Sequence, residues 1–283
     1  MHQARINDAT LCVDAFGDAT DPAVLLIMGA AGSMDRWEAP FCERLAAAGR
    51  HVIRYDHRDT GGSTTWPPGE PGYTAEDLLA DAVGVLDHLG IERAHVAGLS
   101  MGGAMAQELA VLHGERVRTL TLMSTTFAAA GGPELPGASP ELAALFSGAG
   151  QPPPPDWDDR EAALAYLLEA ERPYAGARGL DEPAMREVLG RVLDRSPSPA
   201  SGDNHFLVPG DLGIGYERIT AIRAPTLVIH GTDDPMFPPA HGEALAAAIP
   251  GARLLLVEGL GHELPRWAWD TVAPAIVEHT AAG

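Results

Sequence analysis

The chain has 283 residues, 46% of them hydrophobic, enough to bury one large core or one core that carries an insertion. Its 39 acidic residues against 19 basic ones give a net charge of -20, a field that repels phosphate backbones and anionic lipid headgroups, so neither nucleic acid nor a membrane surface is expected as a partner. Lysine is absent altogether, which excludes a Walker-type phosphate loop and a Schiff-base lysine.

The opening residues MHQARINDAT lack the apolar stretch of a signal peptide, and no apolar run reaches spanning length. Cys12 and Cys42 stand alone, without metal-site spacing, as suits a reducing compartment. A cytoplasmic protein without metal or cofactor is the expectation.

In chain order, four short apolar runs predict strands buried on both faces: Ala23 to Gly29, His51 to Asp56, Ala94 to Ser100 and Arg118 to Ser124. Helical patterns lie between them. WEAPFCERLAAAG stops at Gly49, and TAEDLLADAVGVLDHLG carries Thr74 and Asp77 in near capping-box spacing and stops at Gly90. This alternation predicts an α/β fold with right-handed crossovers and a mostly parallel central sheet covered by helices on both faces. From Phe127 to Tyr216 the rhythm changes to helices and proline-rich joints, with Ser139 and Asp181 as helix starts and QPPPPDW as a stiff connector. Strands resume at Pro225 to Gly231 and Ala252 to Gly259, before a last helix. The expected organisation is a core of residues 1–126 and 217–283 with residues 127–216 inserted as a helical cap.

The chemistry starts at Gly98-Leu99-Ser100-Met101-Gly102. A serine on a sharp strand-to-helix turn is held in a strained conformation that raises its hydroxyl above the sheet, and glycines two positions to either side leave it room. A bare glycine-rich bend is the bland alternative, but this pentapeptide lies between a β-like run and a helical one, as a nucleophile turn requires. Serine also needs a base, and the base an orienting acid. Of eleven histidines, His262 in EGLGHELP follows the last predicted strand, at the sheet edge where the serine turn opens. His95 lies within a strand; His57, His113 and His279 are assigned to loops or the surface. For the acid, GTDDP follows a strand, and Asp234, next to the proline, is chosen with Asp233 as fallback. Backbone N–H groups of Met101, after the nucleophile, and Ala30, in the turn opened by Gly29, are the candidate oxyanion donors. The tripeptide His57-Arg58-Asp59 lacks the other parts of a kinase site and is read as a turn, with Asp56 and Arg58 free to pair locally.

The order Ser100, Asp234, His262, with DHRDTGGS, GLSMGG, GTDDP and GLGH, resembles the α/β-hydrolase superfamily over nearly the whole chain except the cap. HVIRYDHRDTGGSTT, HVAGLSMGG and PTLVIHGTDDPMFPPAHGEALAAAIPGARL look more narrowly like the actinobacterial esterases typified by aclacinomycin methylesterase. Met28 replaces the histidine that many superfamily members carry before the oxyanion glycine. The resemblance implies a Ser100–His262–Asp234 triad, an oxyanion pair at Ala30 and Met101, and a small-molecule ester substrate, such as a polyketide-like methyl ester. Lactone hydrolysis, carbon–carbon hydrolysis, perhydrolysis and a ligand-binding protein on the same fold stay open. Gly29, Trp37, Phe146, Trp157, Tyr166, Phe206, Phe237 and Trp267 are the candidate pocket residues.

Overall fold

The computed structural model describes residues 1–148, 152–210 and 212–281. In chain order its regular elements are β1 (His2–Ile6), β2 (Ala9–Phe16), β3 (Ala23–Ile27), α1 (Ala39–Ala47), β4 (His51–Tyr55), α2 (Ala75–His88), β5 (Ala94–Leu99), α3 (Met101–Leu112) and β6 (Val117–Met123). Then come α4 (Pro140–Phe146), α5 (Arg160–Glu171), α6 (Glu182–Arg195), α7 (Tyr216–Ile219), β7 (Thr226–Gly231), α8 (Ala240–Ala248), β8 (Arg253–Val257) and α9 (Trp269–Ala281). The strands form one sheet in the order β1-β2-β4-β3-β5-β6-β7-β8, parallel from β4 through β8.

The apolar runs become the central strands because both of their faces are covered. Along β3, Ala23, Leu25 and Ile27 join one core with Leu79 and Val85 of α2 and Leu109 of α3, while Val24 and Leu26 join the other with Phe41 and Leu45 of α1 and Ile276 of α9. The capping box of α2 closes with both bonds, Thr74 Oγ1 accepting the Asp77 N–H and Asp77 accepting the Thr74 N–H.

Two antiparallel strands, β1 and β2, precede the expected set. Their turn is Asn7-Asp8, with Asn7 at φ 51°, a two-residue hairpin signal set between runs too mixed in polarity to stand out. Between β6 and β7 the described residues contain helices and no strand, only an isolated bridge of Ala130 with Gly215. There α5 and α6 pair through Leu164, Leu168 and Leu189. Pro152 to Pro155 of the proline-rich connector have no regular structure, and Gln151 lies outside the described residues.

Because β3, β5, β7 and β8 are parallel, the loops after Ile27, Leu99, Gly231 and Val257 all leave the same edge of the sheet. Those four loops hold Ala30, Ser100, Asp234 and His262, and ligands of open α/β sheets bind at that edge.

Candidate active site

Ser100 stands between β5 and α3 at φ 55° and ψ -119°, a left-handed conformation that a residue with a side chain adopts only under constraint. The constraint is visible in the backbone. Ser100 N–H donates to Met123 O at 2.9 Å, and its carbonyl accepts Thr125 Oγ1 at 2.8 Å and the Gly103 N–H at 2.8 Å. A β-carbon at Gly98 would strike the Gly102 carbonyl, and one at Gly102 would strike Ile27 O, so the turn closes only with glycine at both places.

The serine hydroxyl lies 2.9 Å from His262 Nε2. On the other side of the ring, Nδ1 lies 2.9 Å from Asp234 Oδ2 and 3.0 Å from Oδ1. Asp234 is held in turn: its Oδ1 accepts the Met236 and Phe237 N–H groups, each at 2.9 Å, and its side chain is wholly buried. Carboxylate oxygens facing Nδ1 accept its proton's hydrogen bond, so the imidazole proton sits on Nδ1 and the lone pair on Nε2 faces the serine. Asp233 turns away, accepting Ala177 N–H at 3.1 Å and Thr232 Oγ1 at 3.0 Å.

Met101 begins α3, so its N–H has no acceptor within the helix and lies at the positive end of the helix dipole. Ala30 N–H likewise has no hydrogen-bond partner among the described residues. Gly29 runs beside Ser100, where a β-carbon would come 3.2 Å from Ser100 Cβ. Ala30 therefore follows the residue that runs beside Ser100, and Met101 follows Ser100 itself in the chain.

Of the expected pocket residues, Phe237 reaches the centre, its ring edge-on to His262 at 5.4 Å between centroids. Trp37 does not. At 1% exposure it packs on Phe41 beneath the sheet, because the helical turn Met34–Arg36 points its ring into the core. Trp157 and Tyr166 meet each other at 5.8 Å, and Trp157 lines an outer crevice with Pro68, Arg160 and Leu193. Phe146 and Phe206 form an edge-on pair at 6.0 Å, both exposed, and Trp267 lies under the Arg178 guanidinium at 4.0 Å.

Sequence reasoning missed three neighbours of the site. The Tyr174 ring lies tilted to the His262 ring, 5.9 Å between centroids, and its carbonyl accepts the His262 N–H at 2.8 Å. His205 and His57 bond to the loop that bears Ala30. Of the loop-or-surface reading, His57 keeps the loop, after β4, but not the surface: it is 1% exposed and donates to Met28 O at 3.0 Å, its ring edge-on to Tyr55. His279 is also buried, sharing Nε2 between Leu120 O and Pro225 O, each at 3.1 Å. Nor do Asp56 and Arg58 pair with each other. Arg58 is fully buried on Asp81 and reaches Asp8, each at 2.6 Å, while Asp56 takes Arg195 from α6.

Two relatives are similar along nearly their whole length. A rhodomycin D methylesterase of Streptomyces peucetius is 35% identical over 98% of this chain and 96% of its own, and one of Streptomyces sp. strain C5 is 33% identical over the same shares. Among solved structures, the enol-lactonase of Burkholderia xenovorans LB400 superposes with a TM-score of 0.74 at 27% identity, covering 99% of this chain and 100% of its own. The alpha/beta hydrolase fold family matches residues 22–267. With the parallel sheet and its crossovers, that match places the chain in the alpha/beta hydrolase fold family.

Proposed function

We propose that the chain cleaves a methyl ester of an apolar, polyketide-like small molecule through an acyl-enzyme on Ser100, with residues 127–216 acting as a cap over the site. That it is an ester hydrolase follows from its family and its near full-length similarity to two methylesterases. The observation that carries the proposed mechanism is the unbroken chain from Asp234 through His262 to Ser100, 2.9 Å at each link.

Ser100 Oγ attacks the ester carbonyl while His262 Nε2 takes its proton. The carbonyl oxygen, now an anion, is held by the Ala30 and Met101 N–H groups, and Asp234 stabilises the imidazolium. Collapse expels the alcohol with the proton from His262, and water, deprotonated by the same nitrogen, releases the acid. Phe237 and Tyr174 border the imidazole and supply an apolar wall beside the reacting carbon. Cys12 and Cys42, free and buried, support a cytoplasmic setting, and no helix among the described residues is long and apolar enough to cross a membrane.

The structural likeness to an enol-lactonase favours lactones as the second reading. Turnover of methyl esters, aryl esters, lactones and vinylogous diketones, followed by mass spectrometry, separates the two. Methyl esters are expected to turn over fastest, and a fluorophosphonate to label the wild type on Ser100 and leave S100A unlabelled. Cleavage of diketones alone would overturn the esterase reading, and equal labelling of S100A would overturn the nucleophile.

A further inference from the structure

The turn that bears Ala30 is held from outside itself. Gly32 N–H donates to Gly29 O at 3.2 Å, closing a four-residue turn whose third member, Ala31, sits at φ 57°. Positive φ at that place alone is the type II arrangement, which glycine adopts freely and alanine at a cost of roughly 1–2 kcal/mol. An alanine left to itself prefers the form with the Ala30–Ala31 peptide turned over.

What opposes that preference is His205, which lies in the 3-10 segment Pro199–Phe206 and is 174 residues away in the chain. Its Nδ1 lies 2.9 Å from Ala31 N, and its Nε2 lies 2.8 Å from Arg58 O. An amide can only donate and a carbonyl can only accept, so the ring is neutral, with its proton on Nε2 and its lone pair on Nδ1. Burial holds the imidazole below its usual range and keeps that lone pair available. Gly202 lies close to Ala31, a β-carbon's width away, and His57, edge-on to His205 at 5.7 Å, fixes the other end of the loop through Met28 O.

We propose that His205 is a positioning residue for the oxyanion site: by accepting the Ala31 N–H it stops the Ala30–Ala31 peptide from turning over, so the Ala30 carbonyl stays directed away from His205 and the Gly29–Gly32 turn that carries the Ala30 N–H keeps one form beside Ser100. This rests on the esterase reading above. The inserted segment thereby sets the electrophile-binding half of the site as well as covering it.

The two amide variants of His205 divide its two bonds. In H205N the side-chain oxygen replaces Nδ1 and keeps an acceptor for Ala31, whereas H205Q keeps a donor toward Arg58 O and loses that acceptor. With p-nitrophenyl acetate as probe, H205N is expected to keep kcat within about threefold of wild type. H205Q is expected to lose about 10- to 100-fold in kcat with KM within about twofold, below the full loss of one oxyanion donor. Adding A31G to H205Q restores part of kcat, because glycine needs no help at positive φ. A31P, which forces φ negative while leaving His205 in place, is expected to lose kcat in the same way, and it carries the test should H205Q not fold. Wild-type kcat in A31P, or equal kcat in H205N and H205Q while the wild type still labels on Ser100, overturns the proposal and leaves the esterase reading standing. A wild type that neither labels nor turns over the probe overturns both.

Discussion

At the residue scale, the two neighbouring aspartates of GTDDP do different work because one backbone turn aims them apart. Asp234 faces His262 and is saturated by backbone donors, while Asp233 pins Ala177. D234N presents an amide N–H or a neutral oxygen to the ring, disfavours the useful tautomer and is expected to lower kcat about 10³- to 10⁴-fold. D233N is expected to keep kcat within about tenfold and to lose thermal stability instead. Parallel kinetics and melting curves check the pair, and a larger kcat loss in D233N would reverse the assignment. The three members of this constellation were legible in the sequence because each follows a strong strand signal. His205 and Tyr174 were not, because their partners, Ala31 and His262, lie far along the chain and no local pattern marks them. The buried His57-Arg58-Asp59 turn was underread for the same reason: Asp59 bonds Tyr73, the Trp66 N–H and Asn204, and only the folded chain brings these together.

At the element scale, α5 and α6 are fastened to the sheet's upper edge by charge. Arg36 bonds both oxygens of Glu171, Arg191 reaches Glu38 at 3.2 Å, and Arg195 joins Asp35 and Asp56. The Asp56 side chain is fully buried, and it also accepts the Met34 and Gly62 N–H groups, each at 2.9 Å. Removing its cation leaves a buried charge unpaired, so R195M is expected to cost about 3 kcal/mol or more and to lower Tm by about 5–10 °C. D56N should soften that loss when combined with R195M. Calorimetry of the double-mutant cycle measures the coupling, and additive losses would show that the pair contributes nothing of its own. The helices of this segment were legible from their caps: Asp181 accepts the Ala184 N–H and Ser139 the Leu142 N–H. Their placement was not, since it rests on arginine–carboxylate pairs between distant segments.

At the scale of the whole molecule, buried neutral histidines make the fold sensitive to acid. Burial pushes His57 down to about 3 and His95 to about 4, and it lowers His205, His230 and His279 as well. The unfolded chain takes protons on these rings from about pH 6.5 downward while the native state refuses them. Stability therefore falls as pH drops below 6.5, by up to about 1.4 kcal/mol per pH unit for each ring until its native pKa is passed. Glu263 acts in the opposite sense. Burial, together with the nearby Glu171, raises it to about 7, so its ionisation weakens the fold as pH climbs from about 4.5 to 7. Denaturant titrations from pH 4 to 8 are expected to place maximum stability near pH 6–7. E263Q is expected to gain about 1 kcal/mol at pH 8 and nothing at pH 4; an equal gain at both would exclude titration as the cause.

The backbone around His262 carries a mechanical consequence. Gly176 lies against Gly259 and Gly261 with no room for a β-carbon on either side, Tyr174 O holds the His262 N–H, and Ala177 is tied to Asp233. Residues 174–177 are therefore an anchor. Any displacement of residues 174–177 would pull on the His262 backbone and on Asp233 together. The position of the His262 backbone is thus shared between the loop after β8 and a segment far earlier in the chain, and neither can shift without the other.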